Sequence, residues 1–268
     1  MKLNINNISI FNKIIGYSLV LVLFFSGVIY LKFMPELEET IYSEKQNNIR
    51  QNVEVAYSVF ESKNKLVQEG KLTEKEAKAE AKEAIKHFKY DNGEGYFWIN
   101  DYEPNMIMHP VKSQLDGSSL KDSKDPNGKR LFVEMVNVVK QKGEGFVDYQ
   151  WAKPGFDLPV DKISFVKGFD KWKWIIGSGI YVDDIEAKIS SVTNSIMLIF
   201  FILVIGVIVF TYFLAKNISV PIKELNTMSL QVAEGNVNVT VNENRGDEIG
   251  MLARSFNKIE SLDPKECK

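Results

Sequence analysis

Few residues of this sequence could carry out covalent or metal chemistry. Cys267 is the single cysteine, and His87 and His109 are the two histidines. A lone cysteine allows neither an internal disulfide nor a thiolate metal cluster, and two histidines do not make a metal site by themselves. The segment 33–188 offers no Ser/His/Asp or Cys/His set, so we expect no enzyme, although paired carboxylates stay open as a catalytic arrangement. No cofactor and no metal are predicted.

Aromatic residues near a lysine and a histidine are the candidates for ligand binding. In "YDNGEGYFWIND", alternation along a strand would place Tyr96, Trp98 and Asn100 on one face and Phe97 and Ile99 on the other. Aromatic walls with phenol hydroxyls and a cation would suit a small anion with an apolar tail, such as a short carboxylate. The alternative, aromatic core residues and a solvated lysine, stays open. The candidates are Tyr96, Trp98, His109, Tyr149, Trp151 and Lys162.

Two glycine-rich motifs invite other interpretations. Gly-Glu-Gly occurs at residues 93–95 and again at 143–145, each time before an aromatic run. We expect both copies to end a helix and begin a strand, because Trp98 stands where a dinucleotide fingerprint needs its third glycine. From Ser123 to Glu134 the spacing is similar to a calcium loop. Ser123 lacks the first carboxylate, so a turn that begins a helix is favoured.

Two uncharged runs predict membrane-spanning helices. The run 14–31 would reach roughly 27 Å as a helix, about one hydrocarbon thickness, and the run 189–215 is longer. A signal peptide is the alternative for the first, but bulky residues follow it. The tail before the first run carries Lys2 and Lys13 and no acid, whereas Glu36 and Glu38 follow the run. Both chain ends are therefore predicted to be cytoplasmic and the segment between the spans to lie outside.

The segment between the spans predicts an α+β fold. Apolar residues at helical spacing predict a long helix from Pro35 to Gly70, and Thr73 with Glu76 forms a capping box for a second helix. His87 is expected to be an exposed residue of that second helix. Short aromatic and β-branched runs separated by glycine, proline and aspartate then predict an antiparallel sheet backed by helices.

Several motifs in this segment, in order, resemble the single Cache domain of bacterial membrane sensors. They are "YDNGEGYFWIND", "MIMHPVKSQLDGSSLKDSKDPNGKRLFVEMV", "GEGFVDYQWAKPG" and "PVDKISFVKGFDKWKWIIGSGIYVDDIEA". The resemblance implies a PAS-like, five-stranded antiparallel sheet with a long N-terminal helix, located outside the cytoplasm, that binds small organic acids. The family's motifs match this sequence at Tyr96, Phe97, His109, Lys162 and Phe165. Phe165 replaces a frequent tyrosine, which leaves the ligand class open.

The block "ISVPIKELNTMSLQVAEGNVNVTVNENRGDEIGMLARSFNKIE" is similar to a HAMP linker. We expect one helix to begin at Pro221 and end at Gly235, an extended connector through Val237, Val239 and Val241, and a second helix from Asp247 and Glu248 onward. Two heptad helices cannot bury their seams alone, so a parallel dimer is predicted. An unrelated short coiled coil is the alternative. The residues assigned to signal transmission are Pro221, Gly235, Asp247, Glu248 and Phe256.

The layout resembles a methyl-accepting chemotaxis protein without its signalling domain, because "SLDPKECK" ends the sequence where an output domain would be expected. The predicted organisation is a cytoplasmic tail (1–13), a first span (14–31), an extracytoplasmic Cache domain (33–188), a second span (189–215), an incomplete HAMP linker (217–262) and a tail (263–268). The predicted function is a homodimeric chemoreceptor in the bacterial inner membrane, able to join larger receptor arrays, that binds a carboxylate-like ligand. With 33 basic and 35 acidic residues, nucleic acid is not an expected partner. The alternatives are the input half of a sensor histidine kinase or cyclase, a truncated receptor partner and a membrane-anchored hydrolase.

Overall fold

The computed structural model describes residues 8–236, 239–241 and 244–260. They divide into two compact units, one formed by residues 34–193 and the other by the flanking segments. The helices are α1 (Ile10–Val28), α2 (Met34–Gln68), α3 (Glu74–Lys86), α4 (Leu131–Lys142), α5 (Val182–Ala233) and α6 (Glu248–Glu260), with a π-helical turn at Ile29–Phe33. The strands are β1 (Lys89–Tyr90), β2 (Gly95–Asp101), β3 (Met106–Met108), β4 (Glu144–Ala152), β5 (Pro159–Phe169) and β6 (Trp174–Tyr181).

One antiparallel sheet forms the centre of the unit 34–193. Five strands follow the order β1-β2-β6-β5-β4, and the short β3 pairs with β2 at the side. The α+β prediction is confirmed, with β3 added to the five predicted strands. In β5, Lys162 lies between Tyr149 of β4 and Tyr181 of β6. The register therefore places a lysine between two tyrosines, near the start of β5 and the end of β6.

Helices α2 and α3 cover one face of this sheet. Ile49, Val53, Ala56 and Phe60 of α2 recur at intervals of four, three and four residues, which gives the helix one apolar stripe, and all four are buried. The Phe60 ring packs within 5.7 Å, centroid to centroid, of three aromatic rings that the sheet and its last turn supply, Phe169, Trp172 and Trp174. Phe97 and Ile99 join this helix-side core, whereas Tyr96 and Trp98 belong to a separate core that α4 covers. The predicted alternation in β2 is confirmed.

The capping box at the start of α3 is confirmed. The Glu76 backbone N–H donates to Thr73 Oγ1 over 3.3 Å, and the Thr73 backbone N–H donates to Glu76 Oε2 over 2.8 Å. The Thr73 hydroxyl also donates to Glu76 Oε2 over 2.7 Å. The backbone N–H and the hydroxyl of Thr73 lower the pKa of the Glu76 carboxyl, because both stabilise its charged form.

We expect Thr73→Ala to lower the free energy of unfolding by about 1 kcal/mol, because the first turn of α3 loses its hydroxyl acceptor. Urea denaturation measures this loss. Lys75→Ala, at an exposed position in the same turn, is the matched control and should leave the midpoint nearly unchanged. Equal effects of the two substitutions would contradict the capping role.

The two Gly-Glu-Gly copies differ in their surroundings. Gly143, with φ of 80°, ends α4, and β4 begins at the next residue, as predicted. The first copy does not end an α-helix, because α3 ends at Lys86 and the two-residue strand β1 intervenes. A 3-10 turn at Asp91–Gly93 then reverses the chain, so β1 and β2 pair as a hairpin. The prediction for the first copy was wrong about the preceding helix and right about the following strand.

Within the described part of the chain, two helices are long and apolar enough to cross a membrane, one within Ile10–Gln68 and one within Val182–Ala233. In the unit formed by the flanking segments, Thr211 Oγ1 donates to Ser18 Oγ over 3.2 Å. The rings of Phe11 and Tyr212 meet edge to face, with their centroids 6.1 Å apart. Most of their other large apolar side chains are exposed, as lipid contact requires.

The prediction that Pro221 begins a new helix was wrong, because α5 continues through this proline to Ala233. A proline inside a helix leaves the carbonyl four residues earlier without its donor. Here that carbonyl belongs to Asn217, and Arg245 Nη1 donates to it over 2.8 Å. A donor from a distant residue thus replaces the missing backbone bond.

The remaining residues assigned to signal transmission lie around α6. Gly235, with φ of 94°, follows the end of α5. Asp247 Oδ1 accepts the Gly250 backbone N–H over 3.1 Å and so caps α6, which begins at Glu248. Phe256 packs against a small buried cluster formed by Leu225, Val241 and Ala253. Val237 of the predicted connector lies outside the described residues.

Candidate functional site

Lys162 is the central residue of the candidate site. Its side chain is only 1% exposed, and its ammonium donates to the hydroxyl of Tyr96 over 3.0 Å and to that of Tyr181 over 3.4 Å. The Tyr181 hydroxyl donates in turn to the Ala152 carbonyl over 3.0 Å, so it is oriented to accept from the lysine. Among the residues that the structure describes, no carboxylate forms an ion pair with Lys162. A buried cation is costly unless an anion accompanies it.

The pKa values of Lys162 and of the neighbouring tyrosines are shifted by burial. Burial first, and then the positive charge of Lys112, lower the pKa of the Lys162 ammonium from 10.5 to about 7. Burial also raises the pKa of Tyr96, Tyr149 and Tyr181 well above the ordinary value, which keeps all three phenols neutral. The site therefore holds neutral donors and acceptors around one cation whose charge is easily lost.

His109 enters the site as a neutral hydrogen-bond donor. Its Nδ1 accepts the backbone N–H groups of Val111 and Lys112 over 3.2 and 2.9 Å, so the ring proton is assigned to Nε2. Its own backbone N–H donates to Asp116 Oδ1 over 2.7 Å. Burial, followed by the charges of Lys162 and Lys112, lowers the pKa of the imidazole to about 3.

Aromatic rings in tilted contact form one wall of the site. The His109 ring lies 5.1 Å from that of Tyr96 and 5.9 Å from that of Trp151, and Lys112 Nζ lies 4.3 Å above the Trp151 ring. Such contacts hold the rings and the second cation in place.

Two further candidates complete the same face. The Tyr149 hydroxyl and Ser164 Oγ hydrogen-bond over 2.9 Å. Trp98 Nε1 donates to Asn100 Oδ1 over 3.1 Å, and the Trp98 ring centroid lies 5.8 Å from Lys162 Nζ. The structure thus brings together six of the seven candidates, namely Tyr96, Trp98, His109, Tyr149, Trp151 and Lys162.

Phe165 does not join them. It belongs to the helix-side core, where its ring lies 5.0 Å from that of Phe146 and 5.6 Å from the Arg50 guanidinium carbon. The reason is alternation, since residues three apart in a regular strand lie on opposite faces. A hydroxyl on this ring would also lie on the helix side. Phe165 is therefore left out of the candidate site.

Tyr181, Lys112 and Ser164 belong to the site although sequence reasoning did not select them. A signal for Tyr181 was present in "GSGIY", because Gly177, Gly179 and Tyr181 share a phase in β6. A Cβ atom on Gly177 would lie 2.3 Å from the Trp98 ring, and one on Gly179 would lie 3.0 Å from Lys162 Cε. Glycines that recur on one strand face thus make room for the large side chains of the site. Lys112 lies on a loop, and no pattern in the sequence indicated that it would lie near the site.

We expect Gly177→Ala to destabilise the protein by about 1–3 kcal/mol, because the new methyl group would overlap the buried Trp98 ring. Thermal unfolding measures the change. Lys171→Ala, on the exposed turn between β5 and β6, controls for substitution itself. An unchanged melting temperature in Gly177→Ala would show that the Trp98 ring can move without cost.

Residues 123–134, whose spacing is similar to that of a calcium loop, form the predicted turn that begins a helix. Asp125 is buried, and its carboxylate accepts the backbone N–H groups of Lys129 and Gln150 over 2.9 and 3.1 Å. Helix α4 then begins at Leu131. The described part of the chain contains no group of three or more histidine, cysteine or acidic side chains that could hold a metal ion.

Two family models match this chain. The dCache_2 model, a Cache domain, matches residues 29–235, and a HAMP domain model matches residues 213–259. The methyl-accepting chemotaxis protein McpP of Pseudomonas putida is 32% identical over 234 residues, which make up 87% of this chain and 43% of McpP. The chain spans less than half the length of the curated relatives it matches.

Two solved structures share both fold and sequence with this chain. A periplasmic sensor domain of a chemotaxis protein is 46% identical, with a TM-score of 0.52, and the match covers 53% of this chain and 97% of that domain. A Cache chemosensory domain studied for carboxylic acid recognition is 42% identical, with a TM-score of 0.52, and the match covers 54% of this chain and 97% of that domain.

Proposed function

Because the chain belongs to the Cache-domain family and continues into a HAMP domain, we propose that it is the sensory part of a transmembrane chemoreceptor that binds a short carboxylate. One observation carries the choice of ligand. The side chain of Lys162 is buried, and none of the described residues gives it a carboxylate partner. A bound carboxylate would supply the missing charge in a site from which water is largely excluded.

The surrounding groups favour a small monoanion with an apolar end. The Lys162 ammonium, the Nε2–H of His109 and the Tyr96 hydroxyl would donate to the two carboxylate oxygens. The rings of Tyr96, Trp98 and Trp151 would contact a short carbon chain. The recognition of carboxylic acids by a 42% identical Cache domain supports the same ligand class.

The two apolar helices on either side of the Cache domain support an integral membrane protein with its sensor in the periplasm or outside the cell. Strand β6 continues without interruption into α5, which contains the second span and reaches the HAMP domain. A ligand would shift the two signalling states by its difference in affinity for them. The output is proposed to be chemotaxis, with no enzymatic activity in the sensor.

A parallel homodimer is part of this proposal. Leu252 of the predicted seam in α6 is exposed, as are Leu230 of α5 and Met251 of α6. Exposed apolar side chains on these helices favour contact with a second copy. The mass of the chain in lipid nanodiscs, measured by mass photometry, would contradict the dimer if a single copy predominated.

Calorimetric titration of the full chain in nanodiscs tests the ligand class. Propionate is expected to bind, whereas propionamide and propylamine, which match it in size, are expected not to bind, because only the carboxylate brings negative charge to Lys162. The affinities for acetate and butyrate then show which length of apolar chain the site accepts. Binding of the amine or the amide as tight as that of the carboxylate would overturn the proposal.

A further inference from the structure

Two large apolar side chains are exposed on one loop of the sensor unit. The loop joins β4 to β5, and its residues Phe156 and Leu158 are 69% and 80% exposed. It has a defined turn, because the Phe156 backbone N–H donates to the Lys153 carbonyl over 3.0 Å and Gly155 has φ of 81°. Neighbouring exposed apolar residues on a loop with a defined turn are typical of a surface that contacts another protein or a membrane.

The topology of the sheet places this loop at the end of the sensor unit where the chain enters α5. Strand β6 leads into α5, and Lys162 near the start of β5 pairs with Tyr181 at the end of β6. The β4–β5 loop therefore lies beside the point where the chain turns toward the second span. Lys153 confirms this position, because its ammonium pairs with Asp183 over 2.9 Å and with Asp184 over 2.5 Å in the first turn of α5.

We propose that Phe156 and Leu158 insert into the interfacial layer of the bilayer and form a third attachment of the sensor unit, beside the two spanning helices. The loop carries one acidic residue, Asp157, and the Lys153 ammonium is already paired with Asp183 and Asp184, so the attraction would be apolar rather than electrostatic. Zwitterionic phosphatidylcholine should therefore suffice. The proposal depends on the two-span arrangement and does not depend on which ligand the sensor binds.

Spin labels with collision reagents test the insertion. The full chain, with Cys267→Ser to remove its single native cysteine, carries a nitroxide at Phe156→Cys or Leu158→Cys in phosphatidylcholine nanodiscs. Lys171→Cys, on the exposed turn at the other end of β5, is the matched control. Labels at 156 and 158 should collide more often with oxygen than with a water-soluble nickel chelate, and the label at 171 should show the reverse.

Each other outcome overturns the proposal. If the labels at 156 and 158 are as accessible to nickel as the label at 171, the loop lies in water. If they are shielded from both reagents and their spectra sharpen when labelled chains are diluted with unlabelled ones, the loop contacts a second copy instead. Both side chains are exposed, so their replacement should leave the melting temperature unchanged, and this is checked for every variant.

Discussion

Lys162→Met should abolish carboxylate binding and, at pH 6, should raise the melting temperature of the ligand-free protein. Both effects have one cause. The ammonium is buried, and none of the described residues supplies a carboxylate for it, so its charge destabilises the empty site and becomes favourable when an anionic ligand arrives. Methionine has a similar length and keeps the apolar contact with the rings of Tyr96 and Tyr181. The expected loss of affinity is at least about 2 kcal/mol, or roughly thirtyfold.

Differential scanning fluorimetry with and without propionate measures both effects in one experiment. The variant should melt at a higher temperature than the natural protein without ligand and should show no further rise with propionate. Lys171→Met, which removes an exposed lysine from the turn after β5, should change neither value. Retained binding in Lys162→Met would place the carboxylate elsewhere. A lower melting temperature would mean that the bonds from Lys162 to Tyr96 and Tyr181 stabilise the empty site more than burial of the charge destabilises it.

The sequence was sufficient to predict the faces of the sheet where alternation alone decided them. Tyr96 and Trp98 of β2 lie on the face covered by α4, and Phe97 and Ile99 lie under α2 and α3. The same rule would have separated Phe165 from Lys162. Phe165 entered the candidate set through the family motif, which orders residues along the chain and carries no information about faces. Local periodicity was the better guide there.

Contacts between distant segments could not be predicted in this way. The position of Lys112 depends on a loop that His109 Nδ1 holds by two backbone bonds, and nothing in the local pattern fixes that geometry. The continuation of α5 through Pro221 depends on Arg245, which lies 28 residues after Asn217 and donates to its carbonyl. Local rules describe what a residue prefers. The first site depends on the folded shape of a loop, and the second involves a partner far along the chain.

The affinity for a carboxylate should fall as pH rises above about 7, while the stability of the ligand-free protein should rise. The Lys162 ammonium has a pKa of about 7 in the empty site and an ordinary pKa of 10.5 in the unfolded chain. Between these values the unfolded state binds more protons than the native state, so stability increases with pH, up to about pH 9.5 where unfolded tyrosines begin to ionise. A bound carboxylate raises the pKa of Lys162 again. Binding above pH 7 must therefore take up a proton, and affinity should fall by up to about tenfold per pH unit.

The proton uptake identifies Lys162 more sharply than the affinity does. The enthalpy of propionate binding is measured by calorimetry at pH 8 in phosphate and in Tris. The two values should differ by nearly the full difference between the ionisation enthalpies of the two buffers, because nearly one proton is taken up for each ligand bound. At pH 6 the difference should nearly vanish, because Lys162 is already charged. His109 cannot produce this pattern, since its pKa of about 3 leaves it neutral at both pH values. A binding enthalpy that is the same in both buffers at pH 8 would show that Lys162 is charged before the ligand arrives, and burial alone would then not govern the site.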